Sequence, residues 1–344
     1  METLVDDVGS FPLPKIIKRE EFNQAYRLAR EAYAKGNAPH QDQFMEKNFC
    51  QPTIDSFKIK LSTGLDVVNY PQQYDGMCQI SDLLHQAMEK GTFTVEENQA
   101  FLPEVRLITE EARNLSEETG NKIRLRVSLF GPMEYYLTEI GTAYYPDVLE
   151  NITETIRRFA KNSVVNEKYI KTEAVSIDEP SFGYQDINTE KDSIIQNLEK
   201  AFNFQNATKQ IHLHSATRLP DLLNVKNLDV VSFEYAASPK NIEGISRAML
   251  ERANKQIRVG ITRTDIDTIL SEIYDEGITN PTTEQLVDTE DEIARRYMTA
   301  KQKFGDRMTF TGPDCGLGGW PTQEAAKTLL KKTVNAVRKI HSTQ

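Results

Sequence analysis

Residues 210–262 carry Gln210-Ile211-His212-Leu213-His214, then Leu228-Asp229-Val230-Val231-Ser232-Phe233-Glu234, then Gln256-Ile257-Arg258-Val259-Gly260-Ile261-Thr262. Each is a short apolar, β-branched run that ends in polar or turn residues, the pattern of a buried strand. The stretch Asn241 to Asn254 between the last two has helical periodicity. Strands that alternate with helices pair in parallel through crossovers. Working outward, five more runs of the same kind appear: Val5 to Ser10, Leu65 to Tyr70, Ile123 to Phe130, Ala174 to Asp178 and Arg307 to Thr311. Helical patterns occupy Asp147 to Tyr169, Thr189 to Phe202, Thr283 to Lys303 and Thr322 to His341. Eight such units predict an α/β chain folded as a closed (β/α)8 TIM barrel, one catalytic domain spanning residues 1–344. The competing open sheet calls for a Gly-rich dinucleotide fingerprint after a strand, and none is present. Residues 15–60 and 75–120 exceed a minimal barrel. They read as helical insertions (Ile80 to Lys90 and Thr94 to Thr119 in the second) that wall the barrel mouth or simply cover its outside.

Composition narrows the function. The 344 residues are 39% hydrophobic and 27% charged, with a net charge of −10. That charge disfavours nucleic acid, whose phosphates call for a basic face. No apolar run approaches the roughly 20 residues that span a bilayer, and residues 1–14 do not resemble a secretory signal. A cytoplasmic protein with no membrane partner is expected. The three cysteines, Cys50, Cys78 and Cys315, form no disulfide framework.

The strand ends carry the chemistry. His212 and His214 are two apart, so on a strand they point to one side. Glu234 ends the next run, and Cys315 lies in Gly312-Pro313-Asp314-Cys315-Gly316 after the last. Two imidazoles, a carboxylate and a thiolate are the ligand types zinc takes in a tetrahedral site. In a parallel barrel the C-terminal strand ends converge on one mouth, so distant residues can share one metal. Each alone has an ordinary reading, as a rim hydrogen-bonder, a salt bridge or inert packing. Other polar strand ends are Ser10 after Gly9, where a glycine lets backbone approach a ligand, Gln72 and Gln73, Asp178 and Glu179, and Arg263. Asp178 and Glu179 are adjacent, so one faces the mouth and the other a neighbouring strand. Tyr135, Tyr136, Tyr144 and Tyr145 suit core or helix-face packing better than stacking on a planar ligand.

Three motifs recur together: Val8-Gly9-Ser10-Phe11-Pro12, Ile177-Asp178-Glu179-Pro180, and Gly312-Pro313-Asp314-Cys315-Gly316-Leu317 followed by Gly319-Trp320-Pro321. In this order the chain resembles the C-terminal catalytic barrel of cobalamin-independent methionine synthase. The resemblance implies a Zn2+ ion that binds homocysteine as its thiolate, with His212, His214, Glu234 and Cys315 as ligands. His214 stands where that family has a cysteine, which makes the formal charge of the centre zero rather than negative. Gly9 and Ser10 would hold the substrate carboxylate and Asp178 its ammonium group, with Gln72 near a second ammonium contact. Arg263 maps near the family histidine that assists proton transfer, so Asp178 and Arg263 are the expected catalytic residues. The long family enzymes add an N-terminal barrel that helps hold folate. This chain has none, and Gly318-Gly319 replace the basic residues often found before the Gly-Trp-Pro segment. It is in this respect similar to short archaeal and bacterial relatives that take methyl groups from a corrinoid. The expected donor is therefore methylcobalamin or a methylated corrinoid protein, and the expected partner is homocysteine. Methyl transfer to another thiol such as coenzyme M, and a methyl-folate donor, are the alternatives. A metal-dependent hydrolase and a non-catalytic corrinoid-binding role are weaker readings.

Overall fold

The computed structural model describes residues 2–342. Eight strands, β1 (Leu4–Val5), β2 (Val68–Asn69), β3 (Ile123–Phe130), β4 (Ile170–Asp178), β5 (Thr208–Leu213), β6 (Val230–Phe233), β7 (Gln256–Thr262) and β8 (Met308–Pro313), form one parallel sheet. Its order is β1-β8-β7-β6-β5-β4-β3-β2. A parallel bridge from Asp6 to Val67 joins the two edges and curls the sheet into a TIM-type barrel. All eight expected strands are present, but β1 and β2 ladder over only two residues each. Past β1, the groups that would extend the ladder have other partners: the Asp7 carboxylate takes the Asn69 N–H at 2.9 Å, and Val8 O accepts the Asn69 amide at 3.0 Å.

Outward-facing side chains of the strands pack with the helices into one large apolar core. Each fully buried Leu, Ile or Phe there contributes about 1.5–3 kcal/mol. The barrel interior is a different medium. Its lower end is a separate small plug of Leu4, Val67, Val230 and Phe310. One residue past β1, Asp6 bonds Arg126 on β3 at 2.9 Å and Arg258 on β7 at 2.6 Å, all fully buried. Above them lie Ser128, Ser176, Ser232 and His212, also buried. The interior thus grades from apolar to polar toward the C-terminal strand ends.

The expected helices are broken where local capping outcompetes periodicity. Asp147 to Tyr169 becomes Pro146–Asn162; beyond it Thr172 binds Ser163 O and Val165, turning the chain back along β4. Asn241 to Asn254 splits into Lys240–Glu243 and Arg247–Arg252, the second capped by Ser246. Thr283 to Lys303 splits into Thr283–Leu286 and Glu290–Phe304, where Thr289 and Glu292 close a capping box. Thr189 to Phe202 and Thr322 to His341 are shortened to Lys191–Ala201 and Gln323–His341.

In the first insertion the main helices are Arg19–Ala34 and Gln51–Leu61; in the second they are Cys78–Glu89, Pro103–Glu110 and Ala112–Thr119. Residues 94–102, expected to be helical, are not, because the helix after them starts with Pro103 at its first position. The first insertion packs on the segment that leads into the second through stacked Tyr26 and Tyr74, with centroids 4.0 Å apart. Where they meet the mouth they leave a groove of about 490 Å3 lined by Ser10, Arg19, Asn23, Gln72 and Phe130, among others. No helix among the described residues is long and apolar enough to cross a membrane.

Candidate metal centre

Strand register puts the histidines to use. His212 lies inside β5, paired with Ser232 of β6, and is almost fully buried. Leu213 turns outward into the core, and His214 follows one residue past the strand end. Glu234 follows β6 in the same way, and Cys315 stands two residues past β8. One donor atom from each of His212, His214, Glu234 and Cys315 lies within 4.8 Å of all the others. His214 Nε2 is 3.4 Å from Glu234 Oε1 and 3.5 Å from Cys315 Sγ. A tetrahedron with bonds of about 2.0–2.3 Å has edges of about 3.3–3.8 Å, so these spacings suit zinc. His212 Nδ1 is 3.1 Å from Ser232 Oγ, whereas His212 Nε2 is buried with no protein partner. A buried imidazole nitrogen without a hydrogen bond is costly, and a metal ligand bond removes that cost.

Electrostatics point the same way. Burial, then repulsion by Asp314 and Asp265, pushes the Glu234 carboxyl up to about 8. Burial, then Glu234, pushes the Cys315 thiol up to about 12. Burial holds His212 well below its ordinary value, helped by the neighbouring His214, Arg258 and Arg126. It lowers His214 too. The imidazoles are thus neutral donors, and the two acidic groups crowd each other. A cation among them reverses that balance.

The strand ends are clasped by residues whose roles sequence reading did not assign. Asp314 Oδ1 accepts N–H bonds from Tyr235 at 2.9 Å and Ala236 at 3.0 Å, and its Oδ2 accepts from Ala237 at 2.7 Å. This ties the loop after Glu234 to the residue before Cys315. It requires Gly260 beneath, where a Cβ would overlap Asp314 Oδ1. Arg258 Nη2 donates to Pro313 O at 2.9 Å. The Asn241 side chain donates to both His214 O and Glu234 O. The exposed Tyr184 hydroxyl also donates to His214 O, at 3.3 Å. None of these contacts has a local sequence signature, since each joins different strand ends.

Ser10 meets the metal-side loop directly. Its Oγ accepts the Gly318 N–H at 3.0 Å and its carbonyl accepts the Leu317 N–H at 2.7 Å. Lys60 Nζ donates to Gly9 O at 3.0 Å. Gln72 has a left-handed φ of 44° and lies against Gly9, where a Cβ would stand 2.6 Å from Gln72 Oε1. A non-glycine residue held at positive φ is strained, and such strain clusters at functional sites. Gln73 turns into the core to bond Pro12 O and Ser56. Asp178 accepts the Ser176 hydroxyl at 2.6 Å; burial raises its carboxyl to about 6, against the pull of Arg126.

Two further strand-end residues stand outside the cluster. Glu179 does not face a neighbouring strand: its carboxylate accepts the Met133 and Glu134 N–H groups at 3.0 and 2.7 Å, capping the helix Pro132–Glu139. Its place leaves no room for a Cβ on Gly131. Arg263 is not gathered into the cluster. Its guanidinium is taken up by Asp265 and Glu272 in four hydrogen bonds, which hold it well above its ordinary value. Tyr135 and Tyr136 are buried, bonding Gly76 O and Ala143 O, as packing residues. His85 and His341 are paired with Glu139 and with Glu2 and Tyr297, so they supply no further ligand at the mouth.

No protein-family profile matches the chain, and no curated protein matches it. Among solved structures, the chain is similar to a B12-independent methionine synthase from Shewanella sp. in complex with selenomethionine. The TM-score is 0.63 at 14% identity, covering 100% of this chain and 99% of that one. That likeness establishes the fold. An aldose reductase from Giardia lamblia is far more distant, with a TM-score of 0.37 at 9% identity over 100% of this chain and 94% of that one.

Proposed function

We propose that the chain is a zinc-dependent S-methyltransferase that methylates homocysteine on sulfur to give methionine. The observation that carries this reading is the four-donor cluster at the barrel mouth, with the buried His212 Nε2 unpartnered. His212, His214, Glu234 and Cys315 would hold the ion. Zinc bound there would supply the charge that keeps a substrate sulfur as thiolate, the nucleophilic form. Around it, Ser10 has its oxygen engaged by the Gly318 N–H, which leaves its O–H to donate to a substrate carboxylate. Asp178, raised only to about 6, is mostly ionised at neutral pH and suits an ammonium group. That pairing favours an amino-acid thiol over coenzyme M, which has no ammonium. Ser232 fixes the His212 ring through Nδ1. Arg263, paired with Asp265 and Glu272, fixes the loop after β7, and those carboxylates hold its protons too firmly for it to serve as an acid.

The donor has two readings. The lack of basic residues before Gly319-Trp320 favours a methyl-corrinoid. Against that, the similar Shewanella structure is described as that of a B12-independent methionine synthase. Methyl-folate therefore stands as the second reading. The test is methionine formation from homocysteine by zinc-loaded protein, with methylcobalamin and methyl-folate in parallel arms. Cys315→Ala, expected to lose most of its zinc by elemental analysis, is the control. Turnover with methyl-folate alone discards the corrinoid. No turnover in either arm, or equal zinc in the Cys315→Ala protein, sinks the reading.

A further inference from the structure

The ladder between β5 and β6 pairs Gln210 with Val230, Ile211 with Val231, His212 with Ser232 and Leu213 with Phe233, and then stops. The next pair in that register is His214 and Glu234. These are two of the four cluster residues, and both lie just beyond the last backbone rung. Strand ends without ladder bonds fray, because nothing fixes their φ and ψ. Here a side chain bridges the gap. Asn241 Nδ2 donates to His214 O at 2.8 Å and to Glu234 O at 2.9 Å. Its Oδ1 accepts the Ala216 N–H at 3.2 Å. That third bond fixes which way the amide points, since the flipped amide would set its oxygen against two carbonyl oxygens.

We propose that Asn241 is the positioning residue of the metal centre: its amide serves as an extra rung between β5 and β6 that sets the separation of His214 and Glu234 before an ion arrives. The inference rests on the reading of the cluster as a metal site and adds to it a residue that touches neither metal nor substrate. The other clasps act elsewhere. Asp314 and Arg258 secure the Cys315 side. Ser232 secures His212. Besides Asn241, only the longer Tyr184 bond reaches the His214 carbonyl among the described residues, and Tyr184 is exposed. Ligand-supporting residues of this kind typically change metal affinity by about 10–100-fold when removed.

The test compares wild type with Asn241→Ala, Asn241→Ser and Asn241→Asp, by zinc competition against a chelator and by the visible spectrum of the cobalt(II)-substituted proteins. Asn241→Ala is expected to bind zinc about 10–100-fold more weakly. Its cobalt ligand-field bands should shift, while the metal-free protein melts close to wild type, since Asn241 is half-buried in the short helix Lys240–Glu243 and belongs to no apolar core. Asn241→Ser retains one donor and should fall between the two. Asn241→Asp has no donor when ionised and faces two carbonyl oxygens, so it should be at least as weak as Asn241→Ala. Zinc affinity within about twofold of wild type, with an unchanged cobalt spectrum, overturns the positioning role and leaves the proposed function standing. A wild type that binds neither metal overturns both.

Discussion

Removing Lys60 tests how the floor of the Ser10 loop is built. Its ammonium lies 2.7 Å from Asp7 Oδ2, with the lysine side chain fully buried and the aspartate nearly so. It also holds Gly9 O at 3.0 Å. Burial pushes Asp7 up and Lys60 down, and each is the main counterweight to the other. Lys60→Met keeps the volume and deletes the charge. The Asp7 carboxylate is then left with the Asn69 N–H at 2.9 Å and, nearby, the already committed Asp6. Breaking one half of a buried pair costs about 3–5 kcal/mol. That is a large part of the roughly 5–15 kcal/mol that holds a folded chain. Asp7→Asn with Lys60→Met removes both charges, still accepts the Asn69 N–H, and should recover most of the loss. The sign with pH follows from Asp7. Its folded value is raised above the unfolded value of about 4, so the penalty is absent below that value and grows as pH rises through the folded value. The Lys60→Met deficit should therefore shrink from pH 7 to pH 5. Urea unfolding of wild type, single and double variants at both pH values measures it. A Lys60→Met deficit under about 1 kcal/mol at pH 7, or a double variant no better than the single, refutes the argument.

Two further outcomes are expected. With Glu234 at about 8 and Cys315 at about 12, both groups are protonated in the metal-free protein at pH 7. Zinc uptake should then release about two protons, against about one for unperturbed groups, and apparent affinity should climb with pH below 8. Calorimetry in two buffers of different ionisation enthalpy reads the number; a release of one or fewer contradicts the electrostatics. Gly260→Ala places a Cβ over Asp314 Oδ1 and 2.7 Å from its Cα. It should lower zinc affinity at least about tenfold and stability by about 1–3 kcal/mol. An Ala variant with unchanged metal binding would remove Asp314 from the account of the site.

The barrel and its four-donor cluster were legible in the chain because both rest on local patterns. Short apolar runs mark strands wherever a sheet is buried on both faces, and β3 and β7 match their expected bounds residue for residue. The alternation along β5 puts His212 and His214 on one side, and convergence at the mouth is a property of any parallel barrel. The capping box at Thr289 and Glu292 was also written in the sequence, but helical periodicity ran across it. Other features had no local form. Asp178 and Glu179 were expected to divide between the mouth and a neighbouring strand, but Glu179 caps a helix that begins at Pro132, because β3 and β4 end side by side. Arg263 stands at a strand end like the cluster residues, yet Asp265 and Glu272 claim it. Asn241 and Asp314 act through backbone groups of other loops, which register and loop length bring within reach. Residue type and spacing thus determine which groups arrive at the mouth. Their protonation, their clasps and their exact separations depend on burial and on contacts between distant segments, which exist only once the barrel has closed.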